Sequence, residues 1–109
     1  MSLRLWIDPR ALAEAEDAAR WYEARTPGAG ARLRREIDSV FDRITEHPDI
    51  YEALGGSFRR AFTRRFPFAV VYRVTPQEVQ VIGILPTRAD PLANAIVLAS
   101  RRADLPGGG

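Results

Sequence analysis

The chain has 109 residues, 46% of them hydrophobic and 28% charged, no cysteine, and a formal net charge of +2 whose sixteen basic residues are all arginine. That length admits one small domain with one modest core, and the lack of cysteine excludes disulfides and thiolate-metal sites. No apolar run approaches the ~20 residues that cross a bilayer, and Asp8, Pro9 and Arg10 interrupt the N-terminus before a signal-peptide core forms. A cytoplasmic protein without a membrane partner is expected.

Leu3, Leu5 and Ile7 alternate with polar or amphipathic residues and predict a short first strand. Asp8-Pro9 supplies an N-cap and a proline at the first helical position, opening a helix that runs to about Arg25. Thr26-Pro27-Gly28 breaks it. A second helix carries Leu33, Ile37, Val40, Phe41 and Ile44 on one stripe and stops before His47-Pro48, because the residue before proline avoids the α region. So short a connection makes the two helices an antiparallel hairpin. Residues 49–57 read as a loop around Gly55-Gly56. Three strands follow near 58–65, 67–74 and 79–85, turning at Thr75-Pro76-Gln77-Glu78; the last is apolar on both faces and so central. Asp90-Pro91 repeats the cap-and-proline signal and opens a short helix to about Arg102. The order predicts an α+β fold: strand, helical hairpin, three-stranded antiparallel meander and short C-terminal helix, with the helices on one face of the sheet and the other face open. Residues 1–104 are read as a single domain and residues 105–109 as a flexible tail.

Residues 58–74 hold five of the sixteen arginines and five aromatic rings. On one continuous strand, Phe58, Arg60, Phe62, Arg64 and Phe66 would share a face, and Arg59, Ala61, Thr63 and Arg65 the other. Neither face is cleanly apolar, which suits a strand that serves a partner. Residues 59–73 contain no acid, whereas residues 8–23 contain five acids and two arginines, so a basic region is set on a near-neutral domain. Two readings stay open for Arg59, Arg60, Arg64 and Arg65: an anion-docking surface or a solvated strand face. Phe66, Phe68 and Tyr72 read as cross-strand packing, and Trp21 and Tyr22 as core, with Trp6 or Trp21 available to line a partner groove. His47 reads as a helix-end cap. Glu14, Glu16, Asp17 and Glu23 read as an exposed acidic helix face, with no third ligand to make a metal site. No phosphate-cradling glycine loop, nucleophile elbow or zinc spacing is present, so no cofactor is expected.

Taken together, Trp21-Tyr22, Pro48, Arg59-Arg60, Phe66-Pro67-Phe68, Tyr72, Arg88 and Asp90-Pro91 resemble the ordered motifs of the RelE/ParE superfamily of type II toxin–antitoxin toxins, over about residues 3–92. The resemblance implies a small toxin silenced by a cognate antitoxin that wraps across it. ParE-like members of that superfamily poison DNA gyrase, and RelE-like members cut mRNA on the ribosome. It sets Arg60 where ribonucleases carry a functional lysine and Arg88 where they carry a catalytic arginine. Ala69 stands where an arginine is expected, Phe62 where a second lysine is, Asn94 where a late tyrosine is, and Pro86 and Ala89 where a histidine and a second arginine recur. Proton transfer to and from RNA needs donors that these replacements remove. The reading that follows is a ParE-like toxin acting on DNA gyrase, with Arg59, Arg60, Arg64, Arg65, Arg88 and Trp21 as partner contacts. A RelE-like, ribosome-dependent endoribonuclease using Arg60, Tyr72, Arg73 and Arg88 is the alternative. A non-toxic member that only binds an antitoxin is a third.

Overall fold

In the computed structural model, which describes residues 2–88 and 91–107, the cap-and-proline start is in place. Strand β1 (Arg4–Ile7) runs into Asp8, whose Oδ1 accepts the Arg10 N–H at 2.8 Å and opens helix α1 (Pro9–Arg25). Glu23, near the end of α1, accepts N–H bonds from Gly28 and Gly30 and so starts helix α2 (Ala29–Glu46). Gly30 has a packing reason to lack a side chain: a Cβ there would lie 2.6 Å from the Ala19 carbonyl oxygen of α1. Helix α2 ends at His47, whose N–H donates to the Arg43 carbonyl.

Four further strands follow: β2 (Glu52–Gly55), β3 (Phe58–Phe62), β4 (Phe68–Val74) and β5 (Glu78–Pro86). They form an antiparallel run, and β1 pairs parallel with β5, giving the order β1-β5-β4-β3-β2. Helix α3 (Pro91–Arg102) closes the chain. The architecture is α+β, as expected from the element order. Among the described residues no helix is long and apolar enough to cross a membrane.

The helical hairpin covers one face of the sheet. Ala11, Ala15 and Ala19 recur every four residues on α1, and their small side chains let it lie close to α2 and β5. Leu33, Ile37, Val40 and Ile44 of α2 meet Val70, Tyr72, Val79, Val81 and Ile84 of the sheet. Each fully buried aliphatic side chain is worth about 1.5–3 kcal/mol. The Tyr72 hydroxyl donates to the Pro48 carbonyl at 2.6 Å, which explains how a polar tip sits in this core.

Four expectations need correction. Residues 49–57 are not all loop, because Glu52–Gly55 adds edge strand β2 beside β3. The strand expected over 58–65 stops at Phe62: Thr63 hydrogen-bonds to Phe66 and Phe68 through its hydroxyl and backbone, so residues 63–67 form a turn. Phe66 therefore leaves the face of Phe58 and Arg60 and packs edge-on against Tyr22 at 4.9 Å. The second sheet face is not open either. Val71, Ile82 and Leu105 are buried there beneath Trp6, Phe58 and Leu98, since β4 and β5 are apolar on both faces and that surface leaves water only if covered. A bulge against Val71 turns both Ile82 and Gly83 towards α3, and a Cβ on Gly83 would already meet Leu98 at 3.1 Å. Finally, the expected tail is docked as far as it is described: Leu105 is buried, and the Pro106 carbonyl accepts from Arg73 and Gln80. The Asp90 cap and Ala89 lie outside the described residues.

Candidate functional site

Two grooves divide the surface around the arginine-rich hairpin. The first lies between the sheet and α3 and has a volume of about 440 Å³. Its floor is Val71, Ile82 and Leu85, its near edge Leu54 and Phe58, and its far wall Ala95, Leu98 and Ala99 of α3. Arg60, Thr87, Asn94 and Arg102 are the polar side chains lining it. No histidine, lysine, tyrosine or carboxylate is among the lining side chains. Arg60 is further committed, gripping Glu52 bidentately at 2.9 and 2.8 Å. That contact holds the Glu52 carboxyl below its ordinary range and the guanidinium above its own. Arg102 sits over the Phe58 ring at 5.6 Å.

Helix α3 forms the wall of this groove although only one of its residues, Arg101, is buried. Its anchor is polar. The Arg101 guanidinium spans Glu14 of α1, at 3.0 and 2.9 Å, and the Ile82 carbonyl, at 3.0 Å. Glu14 also accepts the Ile84 N–H, which lies beside the bulge. Just beyond α3, Asp104 meets Arg10 at 3.1 Å, and Arg10 in turn clasps Asp8.

The second groove, again about 440 Å³, runs between α2 and the β3–β4 turn. Arg32, Arg35, Arg43, Arg64 and Arg65 line it, with Glu36, Ser39 and Phe66. The Glu36 carboxylate accepts the backbone N–H groups of both Arg64 and Arg65 at 2.9 Å, which ties the turn to the helix.

The structure separates the residues singled out in the sequence. Tyr72 points into the helix-side core, where burial pushes its hydroxyl pKa up to about 12. Arg73 is buried on the opposite face against Gln80 and the Pro106 carbonyl. Arg88 is exposed beyond the end of β5. Arg60, Tyr72, Arg73 and Arg88 are thus not brought to one point. Of the partner candidates, Arg59 donates to the Tyr51 carbonyl at 2.7 Å, Arg60 lines the apolar groove, and Arg64 and Arg65 line the basic one. Trp21 is half-exposed rather than core, with the Arg25 guanidinium 3.5 Å over its ring. The acids expected as a bare helix face are in use: Glu14 holds Arg101, Glu16 holds Arg34, Asp17 pairs with Arg20, and Glu23 caps α2. Among the described residues no group of three metal-ligating side chains gathers.

Sequence reasoning missed Glu52, Arg102 and three of the four arginines of α2, Arg32, Arg35 and Arg43. A basic spacing at 32, 35 and 43 along one helix face was the available signal. One convergence is informative. Positions 60, 69, 86 and 94, far apart in the chain, all line the apolar groove.

The fold is that of known toxins. A structure of the chromosomal ParDE system from P. aeruginosa superposes with a TM-score of 0.70 at 16% identity, covering 80% of this chain and 98% of that one. The isolated E. coli RelE toxin gives a TM-score of 0.60 at 20% identity, covering 91% and 99%. A doubly substituted E. coli RelE in complex with a RelB antitoxin peptide gives 0.60 at 22% identity, covering 88% and 95%. No sequence match is found among curated proteins. The model of the ParE toxin of type II toxin–antitoxin systems matches residues 5–91, and the chain belongs to that family of toxins.

Proposed function

We propose that this toxin acts by binding, not by cutting RNA: it engages a cellular target, DNA gyrase, and is silenced when a segment of its cognate antitoxin fills the groove between the sheet and α3. The observation that carries this reading is the chemistry of that groove. Of the seven positions that the superfamily resemblance assigns to ribonuclease function, four line an apolar trough of about 440 Å³ and hold Arg60, Ala69, Pro86 and Asn94. RNA cleavage by a ribose 2′-hydroxyl needs a base and an acid within reach of the phosphate. An apolar trough rimmed by two arginines instead suits an amphipathic peptide that buries aliphatic anchors and offers acids at its edges. The RelB peptide bound to a RelE of the same fold supports an antitoxin partner here.

The test is inducible expression of the chain alone, followed by parallel assays of plasmid supercoiling and mRNA integrity. Loss of negative supercoiling with intact mRNA is expected. Rapid mRNA fragmentation that disappears in Arg60→Ala or Arg88→Ala would overturn the reading in favour of a ribonuclease, and no growth defect at all would leave only antitoxin binding. The groove itself is tested by Ala95→Arg, which adds bulk and charge at an exposed wall position without touching the core. Co-purification with the antitoxin should fall at least tenfold while the melting temperature holds.

A further inference from the structure

We infer that the groove between α2 and the β3–β4 turn is a docking surface for the sugar–phosphate backbone of duplex DNA. Five guanidinium groups, from Arg32, Arg35, Arg43, Arg64 and Arg65, line it, and among the described residues none of them forms an ion pair. That separates them from Arg10, Arg20, Arg34, Arg60 and Arg101, each of which has a carboxylate partner. The carboxylate inside the groove is already engaged, because Glu36 takes the N–H groups of Arg64 and Arg65. Glu23, the acid that faces Arg32 from α1, is occupied by the N–H groups of Gly28 and Gly30. Asp38 and Asp42 of α2 are exposed but do not line the groove.

The backbone that carries the cations is fixed before any ligand arrives. Arg32, Arg35 and Arg43 ride on a helix fixed by its buried stripe, and Arg43 is braced by the Phe62 carbonyl at 3.2 Å. Arg64 and Arg65 sit on a turn clamped by Glu36, so binding has to order their side chains but not the backbone beneath them. From Arg32 to Arg43 the helix rises about 16 Å, at ~1.5 Å per residue. One strand of B-DNA passes about five phosphates over that length, at ~3.4 Å of axis each.

The same groove is poorly suited to a protein segment. Its apolar lining is Phe66 alone, and peptide recognition draws on buried apolar anchors, which the other groove offers and this one does not. Single-stranded nucleic acid would need free rings for base stacking. Phe66, the ring that lines the groove, is edge-on to Tyr22, and the half-exposed Trp21, with Arg25 over its ring, does not line it. Arginine and hydroxyl donors in an open groove, with no free ring to stack on bases, fit contacts to the phosphates of a duplex.

The test is fluorescence anisotropy of the full chain with a labelled 20-base-pair duplex of arbitrary sequence across a salt series. The wild type should bind with a log–log salt slope of about −3 to −4, for roughly four phosphate contacts. Arg35→Gln with Arg65→Gln should weaken binding at least tenfold and reduce the slope by about 2, with an unchanged circular dichroism spectrum and melting temperature. Arg60→Gln, in the other groove, should bind as the wild type does. The inference is overturned by no duplex binding at low salt, by a double variant that binds like wild type, or by tighter binding of a polyglutamate peptide than of the duplex. Because Ala95→Arg should leave DNA binding intact, failure here is separable from failure of the antitoxin reading.

Discussion

The two grooves have the same volume, about 440 Å³, and both adjoin the arginine-rich hairpin, yet they are built in opposite ways. The apolar groove has core strands for a floor and a helix for a wall, so its shape is part of the fold. The basic groove is a row of side chains on elements whose packing lies elsewhere. Substitutions in the floor or the anchor of the first therefore disturb stability and binding together, whereas those at its exposed wall, such as Ala95, and those in the second should change binding alone. The contrast also explains why the arginines of one segment do different work. Arg60 follows the strand alternation onto the α3 side, and Arg64 and Arg65 leave it because Thr63 breaks the strand.

The strongest way to break the comparison is through the wall of the apolar groove. Glu14→Ala removes the partner of the nearly buried Arg101 guanidinium and of the Ile84 N–H in one step. Stranding a buried cation costs ~3–5 kcal/mol, and these side chains retain 10% and 25% exposure, so the expected loss is about 2–4 kcal/mol by urea denaturation. Adding Arg101→Leu should recover part of it, because the unpaired charge is then gone. Antitoxin-segment affinity should fall with the anchor of α3, and DNA affinity should not. A cost below ~0.5 kcal/mol would show that α3 is held by its apolar contacts alone.

The basic groove depends on how α2 seats against α1, and Gly30 probes that. In an open helix, Gly→Ala stabilises by ~1 kcal/mol. Here the new Cβ would stand 2.6 Å from the Ala19 carbonyl, a backbone atom that cannot swing aside, and overpacking costs ~1–3 kcal/mol. A net loss of about 1–2 kcal/mol is expected, seen as a fall in melting temperature of roughly 5–10 °C. A rise instead would mean that the hairpin relaxes freely, and that the spacing of Arg32 and Arg35 from the turn is not fixed.

Much of the frame was legible because local chemistry and global packing agree. Asp8-Pro9, the α2 stripe and His47-Pro48 each set one boundary where the structure has it. Val79–Leu85, apolar on both faces, already implied a covered sheet, and the expectation of an open face overlooked that. Edge strand β2 was hidden because Glu52–Gly55 is exposed throughout and owes its form to pairing with β3, which no local pattern records. The basic groove was half visible. Arg64 and Arg65 stood out in the hairpin, but their companions Arg32, Arg35 and Arg43 lie well before them on another element, and only the packing of α2 beside the turn unites them. Tyr72 and Arg73, neighbours in sequence, were separated by strand alternation.

The finest test separates the grooves by pH. The Arg10 guanidinium, bonded to Asp8 at 3.0 and 2.7 Å, holds the Asp8 carboxyl below its ordinary value of 3.8, with the Arg101 charge adding to the effect. A carboxyl lowered in the folded state contributes stability above its unfolded pKa and loses it as pH falls through the folded one. Asp8→Asn keeps the N-cap but not the ion pair, so it should cost about 1 kcal/mol near neutrality. That difference should shrink below pH 4 and vanish once wild-type Asp8 is protonated. Glu16, Glu23 and Glu52 are also held low by their partners, but they are common to both proteins and cancel in the comparison. Arg10 also reaches Asp104 beyond α3, so the Asp8–Arg10 pair is joined to the end of the apolar groove's wall. Asp8, Arg10 and Asp104 do not line the basic groove. Antitoxin-segment affinity should therefore weaken as pH falls below about 4 while duplex affinity does not, and parallel losses would mean that the two surfaces fail together, with the fold.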